Sequence, residues 1–281
     1  MTVGAPLSPL AQERLRYRSS RARRSTLVAL VSTLVFAAVV LVGLTSTPGW
    51  PRVRATFLDP EIAWSALPSV LAGLWLNVRV LVVTEVGVLA LGLLIAVLRT
   101  LRGAVFFPLR ALATGYVDLF RGVPLLIALY LVGFGVPALR LQGVPSSTAV
   151  LGTITLILVY SAYVAEVFRA GIESIHPSQR AAARSLGLTH RQAMRLVILP
   201  QAVRRVLPPL LNDFVALQKD VGLISVLGAV DAIRAAQIAS ARTFNFTPYV
   251  VAALLFVLLA VPTGRIADAV AARAARRQGL V

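Results

Sequence analysis

The sequence predicts an all-α polytopic membrane protein, a helical bundle of about six transmembrane helices. Apolar residues make up 58% of the 281 positions and charged residues only 14%, against roughly 25% charge in soluble domains. Several apolar runs approach or exceed the roughly 20 residues that cross a bilayer as a helix. Between those runs the arginines alternate in density, crowded on one side of the predicted spans and sparse on the other. A formal charge of +17 would also suit nucleic acid. Arginines set between spans have a simpler reading in membrane orientation and anionic lipid, so no nucleic-acid partner is expected. Cysteine is absent, which excludes disulfides and thiolate metal sites, and two histidines, His176 and His190, are too few for a zinc centre. No metal and no bound cofactor are expected.

Residues 1–26 form a basic head carrying Arg14, Arg16, Arg18, Arg21, Arg23 and Arg24, with Pro6 and Pro9 disfavouring regular structure at its beginning. The apolar run Leu27–Leu44 follows, and 27–46 reads as a retained first span, because Ser46-Thr47-Pro48 makes a poor signal cleavage site. Residues 47–68, with Pro48, Pro51, Pro60 and Pro68 beside Trp50 and Trp64, read as an external loop with interfacial tryptophans. The second run, Val70–Leu98, contains Asn77, Arg79, Thr84 and Glu85. Asn77 and Thr84 share a helix face, and Glu85 must avoid lipid. Gly87 and Gly92 permit close helix approach.

Arg99, Arg102 and Arg110 mark the next turn, and Gly122 and Pro124 permit a bend at the start of a third span over Val123–Leu139. Asp118 and Arg121 are spaced to pair there. A fourth span covers Thr148–Phe168, with Tyr160, Ser161 and Tyr163 serving packing, a pore lining or both. The fifth, Val206–Gly228, carries Pro208, Pro209, Asn212, Asp213, Gln218, Lys219 and Asp220. So much polarity demands a central and broken helix. Residues 229–247 read as an external helix or loop, and Thr247-Pro248 opens a last span to about Ile266 before a basic tail with Arg273, Arg276 and Arg277. Both termini then fall on the arginine-rich, cytoplasmic side, leaving only Arg52, Arg54, Arg140, Arg234 and Arg242 in outer segments.

Between the fourth and fifth spans lies an arginine-rich stretch from Glu166 to Pro200. Pro177 or Ser178 opens a short helix over Gln179–Leu186, and Gly187 closes it. Thr189 and Gln192 form a capping box, predicting a second helix from His190 to Leu199 that stops at Pro200. Ala182, Ala183 and Leu186 give one apolar face, and Ala193, Leu196 and Val197 the other. Such a hairpin spans nothing. It reads either as a docking element for a soluble partner or as an amphipathic loop on anionic lipid.

This stretch resembles the coupling loop of binding-protein-dependent ABC importer permeases, of the branch that imports polar amino acids (histidine, glutamine, glutamate). The residues that carry the likeness are Ala182, Ala183, Gly187 and Val197 to Pro200, with Glu166, Arg169, Gly171, Ile172, Ser174, Ile175 and Gln179 upstream and Gln201, Arg204, Pro208, Pro209, Asn212 and Lys219 downstream. Tyr116-Val-Asp-Leu-Phe-Arg121-Gly-Val-Pro124 resembles a second signature of the branch. Ala181 replaces the loop's usual glutamate, Ser178 a common glycine, and Val221-Gly222 the usual hydroxyl pair after the lysine. The likeness covers about residues 70–270 and implies a type I importer permease domain over 69–270, with its coupling loop at 171–200, an additional helix at 27–46 and a cytoplasmic tail at 271–281.

The resemblance implies a permease subunit of an ATP-driven amino acid importer in the bacterial inner or plasma membrane. ATP and magnesium would sit on separate cytoplasmic ATP-binding subunits, since no Walker loop, dinucleotide fingerprint or nucleophile elbow occurs here. This chain is therefore not expected to be an enzyme. A second permease copy or relative, an extracytoplasmic solute-binding protein and membrane lipid are the other expected partners. The ATPase-coupling residues would be Glu166, Arg169, Gly171, Gln179, Ala182, Ala183, Gly187 and Pro200, with Arg184, Arg191 or Arg195 meeting acidic groups. Asn77, Thr84, Glu85, Asn212, Gln218 and Lys219 are the translocation-path candidates, and glutamate or a related polar amino acid is the favoured substrate. Two other functions fit an inward-facing polar helix and a basic loop: an ion-gradient-driven secondary transporter and a non-transporting scaffold.

Overall fold

The computed structural model describes residues 9–101 and 103–276. Pro6, Arg102 and Arg277 lie outside the described residues, as do the side chains of Arg14, Arg16, Arg18, Arg21, Arg23, His190 and Arg276. Every regular element among the described residues is helical. Two compact units divide near Thr56.

In the first unit, α1 runs unbroken over Pro9–Thr45. The basic head is helical from Pro9, a position where the missing N–H of proline costs little. Its second half, Arg24–Thr45, is long and apolar enough to cross a membrane, and its apolar side chains are exposed. A short α2 covers Trp50–Phe57.

The second unit is built on α3, Pro60–Thr100. At 41 residues and about 1.5 Å per residue this helix is about 60 Å long, twice the hydrocarbon thickness. Asp59 caps it by accepting from the N–H groups of Glu61 and Ile62, with Pro60 in the first turn. The stretch expected as a loop over 47–68 is thus mostly helix, because two of its four prolines, Pro51 and Pro60, sit in first turns. Pro68 lies within α3 without ending it.

A 3-10 turn at Ala104–Phe106 leads into α4, Phe107–Gly122, and then α5, Leu125–Ala138. The two helices meet at 108°. The bend falls at Gly122–Pro124 as the sequence implies, and α5 lies within the Val123–Leu139 stretch expected as the third span. With 14 residues, α5 is about 21 Å long and crosses nothing alone. α6, Thr148–Glu173, matches the fourth span.

After α6 come α7, Pro177–Ser185, and α8, His190–Ala193. A π-helical turn at Met194–Ile198 then carries the chain directly into α9, Leu199–Asp220. The second hairpin helix does not stop at Pro200, which is a correction. The Leu199 N–H bonds to the carbonyl of Met194, five residues back, and this widened turn takes the proline ring without the usual clash. α9 passes through Pro208 and Pro209, tightens to a 3-10 segment at Val221–Leu227 and breaks at Gly228, which has a left-handed φ of 91°. α10, Ala232–Thr243, resumes at 50° to that direction, and α11 spans Thr247–Arg276, well past Ile266.

Among the described residues, four helices are long and apolar enough to cross a membrane, and up to six crossings result if each bent pair counts as one. The main core joins α3, α6 and α9 through Val80, Leu81, Val88, Leu156, Tyr160, Val164 and Leu217. Smaller cores join α3 to α10 and α11 through alanines, and α3 to α4 and α6. A β-carbon on Gly87 would meet Ile157 at 2.6 Å and one on Gly92 would meet Val164 at 2.8 Å, so the close approach expected of these glycines is that of α3 to α6.

Gly73 is tighter still: a β-carbon there would lie 2.4 Å from the Asp231 backbone carbon. Backbone cannot rotate aside as a side chain can. Gly73→Ala is expected to push α10 from α3 and destabilise by about 1–3 kcal/mol, read as a lowered melting temperature in detergent, whereas Gly115→Ala, with nothing nearby, should not.

Candidate functional site

The fourth and fifth spans bring together a cavity of about 410 Å³ at the α4–α5 bend, lined among others by Arg121, Pro124, Tyr160, Tyr163, Asp213 and Asp220. The Tyr160 hydroxyl donates to Asp220 Oδ2 at 2.7 Å. The Arg121 guanidinium lies 5.8 Å over the Tyr163 ring rather than against Asp118. One oxygen of Asp213, Oδ2, is buried with no partner. Arg121 and the carboxylates of Asp213 and Asp220 line one cavity, and its volume falls within the roughly 300–1,000 Å³ of small-ligand pockets.

The predicted path residues divide. Glu85 is half-buried on α3, within electrostatic reach of Asp213. Asn212 and Lys219 are exposed. Asn77, Thr84 and Gln218 are buried, and two of these three tie helices together. Asn77 Nδ2 donates to the Val221 carbonyl at 3.2 Å and to Asp231 Oδ2 at 3.0 Å, while its Oδ1 accepts from the Ala232 N–H at 3.1 Å. Gln218 accepts from the Thr263 hydroxyl at 2.7 Å, joining α9 to α11. Tyr116, from the second signature, donates to the Leu158 carbonyl at 2.7 Å and joins α4 to α6. Asp213, Asp220 and Arg121 line the cavity but were not among the predicted path residues. For Asp213 and Asp220 the sequence signal is a carboxylate inside an apolar run.

At the other end of α6, Glu166 bonds Arg99 of α3 at 2.7 Å and Arg169 one turn on, and Arg169 also binds Glu173. The Glu166–Arg169 pair, spaced i,i+3 within α6, is therefore part of a network that also grips α3. Arg205 of α9 donates to the Ser174 carbonyl. Gly171 is an internal contact, where a β-carbon would collide with Val206.

α7 starts at Pro177, capped by His176, and Gly187 turns with φ of 78° as expected. Thr189 and Gln192 make the capping box: the Thr189 N–H donates to Gln192 Oε1 at 2.9 Å, and the Gln192 N–H to Thr189 Oγ1 at 3.3 Å. The predicted apolar faces are divided, however. Ala183 and Ala193 turn inward, while Ala182, Leu186 (81% exposed) and Leu196 (63%) face out. Gln179 and Pro200 are exposed as well.

Comparison with known proteins adds four findings. A family described as "Binding-protein-dependent transport system inner membrane component" matches residues 88–276. A probable glutamine ABC transporter permease of Bacillus subtilis (strain 168) is 39% identical over 184 residues, 64% of this chain and 82% of that protein. The glutamate transport system permease of Corynebacterium glutamicum is 33% identical, covering 72% of this chain and 92% of its own. Among solved structures, one described as an amino acid ABC transporter with histidines superposes with a TM-score of 0.70 at 32% identity, over 77% of this chain and 99% of that one.

The bonds of Asn77 predict a structural role. Asn77→Ala strands a buried backbone carbonyl and N–H and is expected to cost about 1–3 kcal/mol, seen as a melting shift whether or not substrate is present. Lys219→Ala, at an exposed site, should stay within about 0.5 kcal/mol of the parent.

Proposed function

Because this chain belongs to the binding-protein-dependent transport system inner membrane components, as a permease subunit of an amino acid ABC transporter, we propose how it couples and what it carries. α7 and the turns that follow dock on a cytoplasmic ATP-binding subunit, which holds ATP and magnesium. The observation that carries this reading is an exposed hairpin face, Gln179, Ala182 and Leu186, on an element clamped at its root. Glu166, Arg99 and Arg169 bind α6 to α3 just before the hairpin, and Arg205 binds its exit to its entry. Force applied at α7 therefore reaches both helices, as a two-state coupling element requires. Ala183, Gly171 and Pro200 serve the shape of the element, and Gln179, Ala182 and Leu186 its contact.

The path runs beside Asp213, Asp220 and Arg121. An α-carboxylate faces Arg121 and an α-ammonium faces Asp213. The resemblance favours glutamate or a related polar amino acid, and the relatives' names include glutamine, arginine and glutamate. The surplus of carboxylates, with Glu85 near Asp213, favours a neutral or basic side chain over a second carboxylate. A second permease copy or relative completes the pore, and an extracytoplasmic binding protein delivers the amino acid. The arginine distribution supports an inner or plasma membrane setting with both termini cytoplasmic and 47–68 external.

Reconstitution with ATPase and binding-protein partners tests this, by ATP-dependent uptake of glutamate, glutamine and arginine. Ala182→Glu is expected to reduce uptake at least about tenfold, the scale of a lost or repelled interface contact, with membrane insertion intact. Normal uptake would count against docking at α7. Asp213→Asn should lower arginine uptake by about tenfold, the loss of one charge-assisted hydrogen bond, and glutamate uptake by less.

A further inference from the structure

A second cavity of about 410 Å³ lies apart from the path, where α3 and α6 end and α7 begins, lined in part by Arg99, Arg169, Glu173 and Arg180. The charges there do not balance. Arg169 is committed to Glu166 and Glu173, and Arg99 gives its Nη1 to Glu166. Three guanidinium groups thus face two carboxylates. The surplus rests on Arg180, whose Nε is enclosed and donates to no group, and whose Nη2 makes one long contact of 3.4 Å to the Ile172 carbonyl. An enclosed donor without an acceptor costs free energy that an anion would recover.

The rest of the lining is apolar except for Thr100, whose hydroxyl donates to the Val97 carbonyl of its own helix. Met194 forms part of the wall, and Val97 and Leu199, 49% and 45% exposed, stand at it. The site is at the common end of two helices long and apolar enough to span a membrane, the depth at which headgroups lie. We infer that this cavity binds one anionic phospholipid, its phosphodiester on Arg180 and Arg99 and its glycerol against Met194 and Leu199. The lipid would bridge α7 to the ends of α3 and α6, so bilayer composition would set the stiffness of the hairpin. Basic pockets between spans suit acidic headgroups, and a soluble anion would make no use of the apolar wall.

The test is hydrogen–deuterium exchange of the Pro177–Ser185 amides in the full-length chain, in nanodiscs of phosphatidylcholine with and without phosphatidylglycerol. Such discs expose both faces, so the result does not depend on the hairpin's side or on its ATPase role. Phosphatidylglycerol should slow exchange by at least about fivefold, the factor one arginine contributes near an anionic surface. The slowing should persist in Arg273→Gln and vanish in Arg180→Gln. Met194→Phe, which fills the apolar wall without touching a charge, should abolish it too and decides the matter if Arg180→Gln does not fold. Equal slowing in Arg180→Gln, or no slowing in the parent, would overturn the site. Protection reproduced by millimolar inorganic phosphate in pure phosphatidylcholine would overturn the lipid assignment in favour of a soluble anion.

Discussion

One amide holds the break in the central helix. Between Asp220 and Ala232 the chain leaves α-helical geometry, and in a medium without water each loose backbone group there would cost several kcal/mol. Asn77 reaches across from α3 and meets the Val221 carbonyl, the Ala232 N–H and the Asp231 carboxylate together. Only a side chain with both donor and acceptor on one planar group can do this. Gly73, one turn earlier, brings α3 against the same backbone. The positions of the 3-10 segment and α10 follow from these contacts, and with them the place of Asp220 beside Tyr160.

The other end of the bundle is held by charge instead of amide. Glu166 holds Arg99 and Arg169, and Glu173 holds Arg169 as well, where the helices emerge from their apolar lengths. Ion pairs there are partly hydrated, so their worth lies in fixing geometry more than in stability. They give the hairpin a firm root while its outer face stays open. Polar contacts thus fix α3 at Asn77 and at Arg99, and the stretch between them, where Gly87 and Gly92 let α6 approach, supplies the burial.

Much of this was legible along the chain. Caps, the bend at Gly122–Pro124, the turn at Gly187 and the broken fifth helix are local features, and local chemistry specifies them. Pro200 misled because a single π turn absorbs a proline that ordinary helical geometry would reject. The same extra residue shifted the phase of the second hairpin helix, leaving Leu196 outside while Ala193 stayed in. The path residues misled for a related reason. Polarity within a span says that a residue avoids lipid, but not whether it meets a cavity or a neighbouring helix.

The sequence by itself determined the helical class, the family and the hairpin, since these follow from apolar run length, cap chemistry and a long motif. Tertiary structure decided that Asn77 and Gln218 tie helices while Asp213, Asp220 and Arg121 share a cavity. It also decided that Arg180 faces an enclosed space with its charge unspent. Those outcomes depend on which helices cross and in what rotational phase, and helix breaks and π turns reset that phase by amounts that residue spacing does not encode.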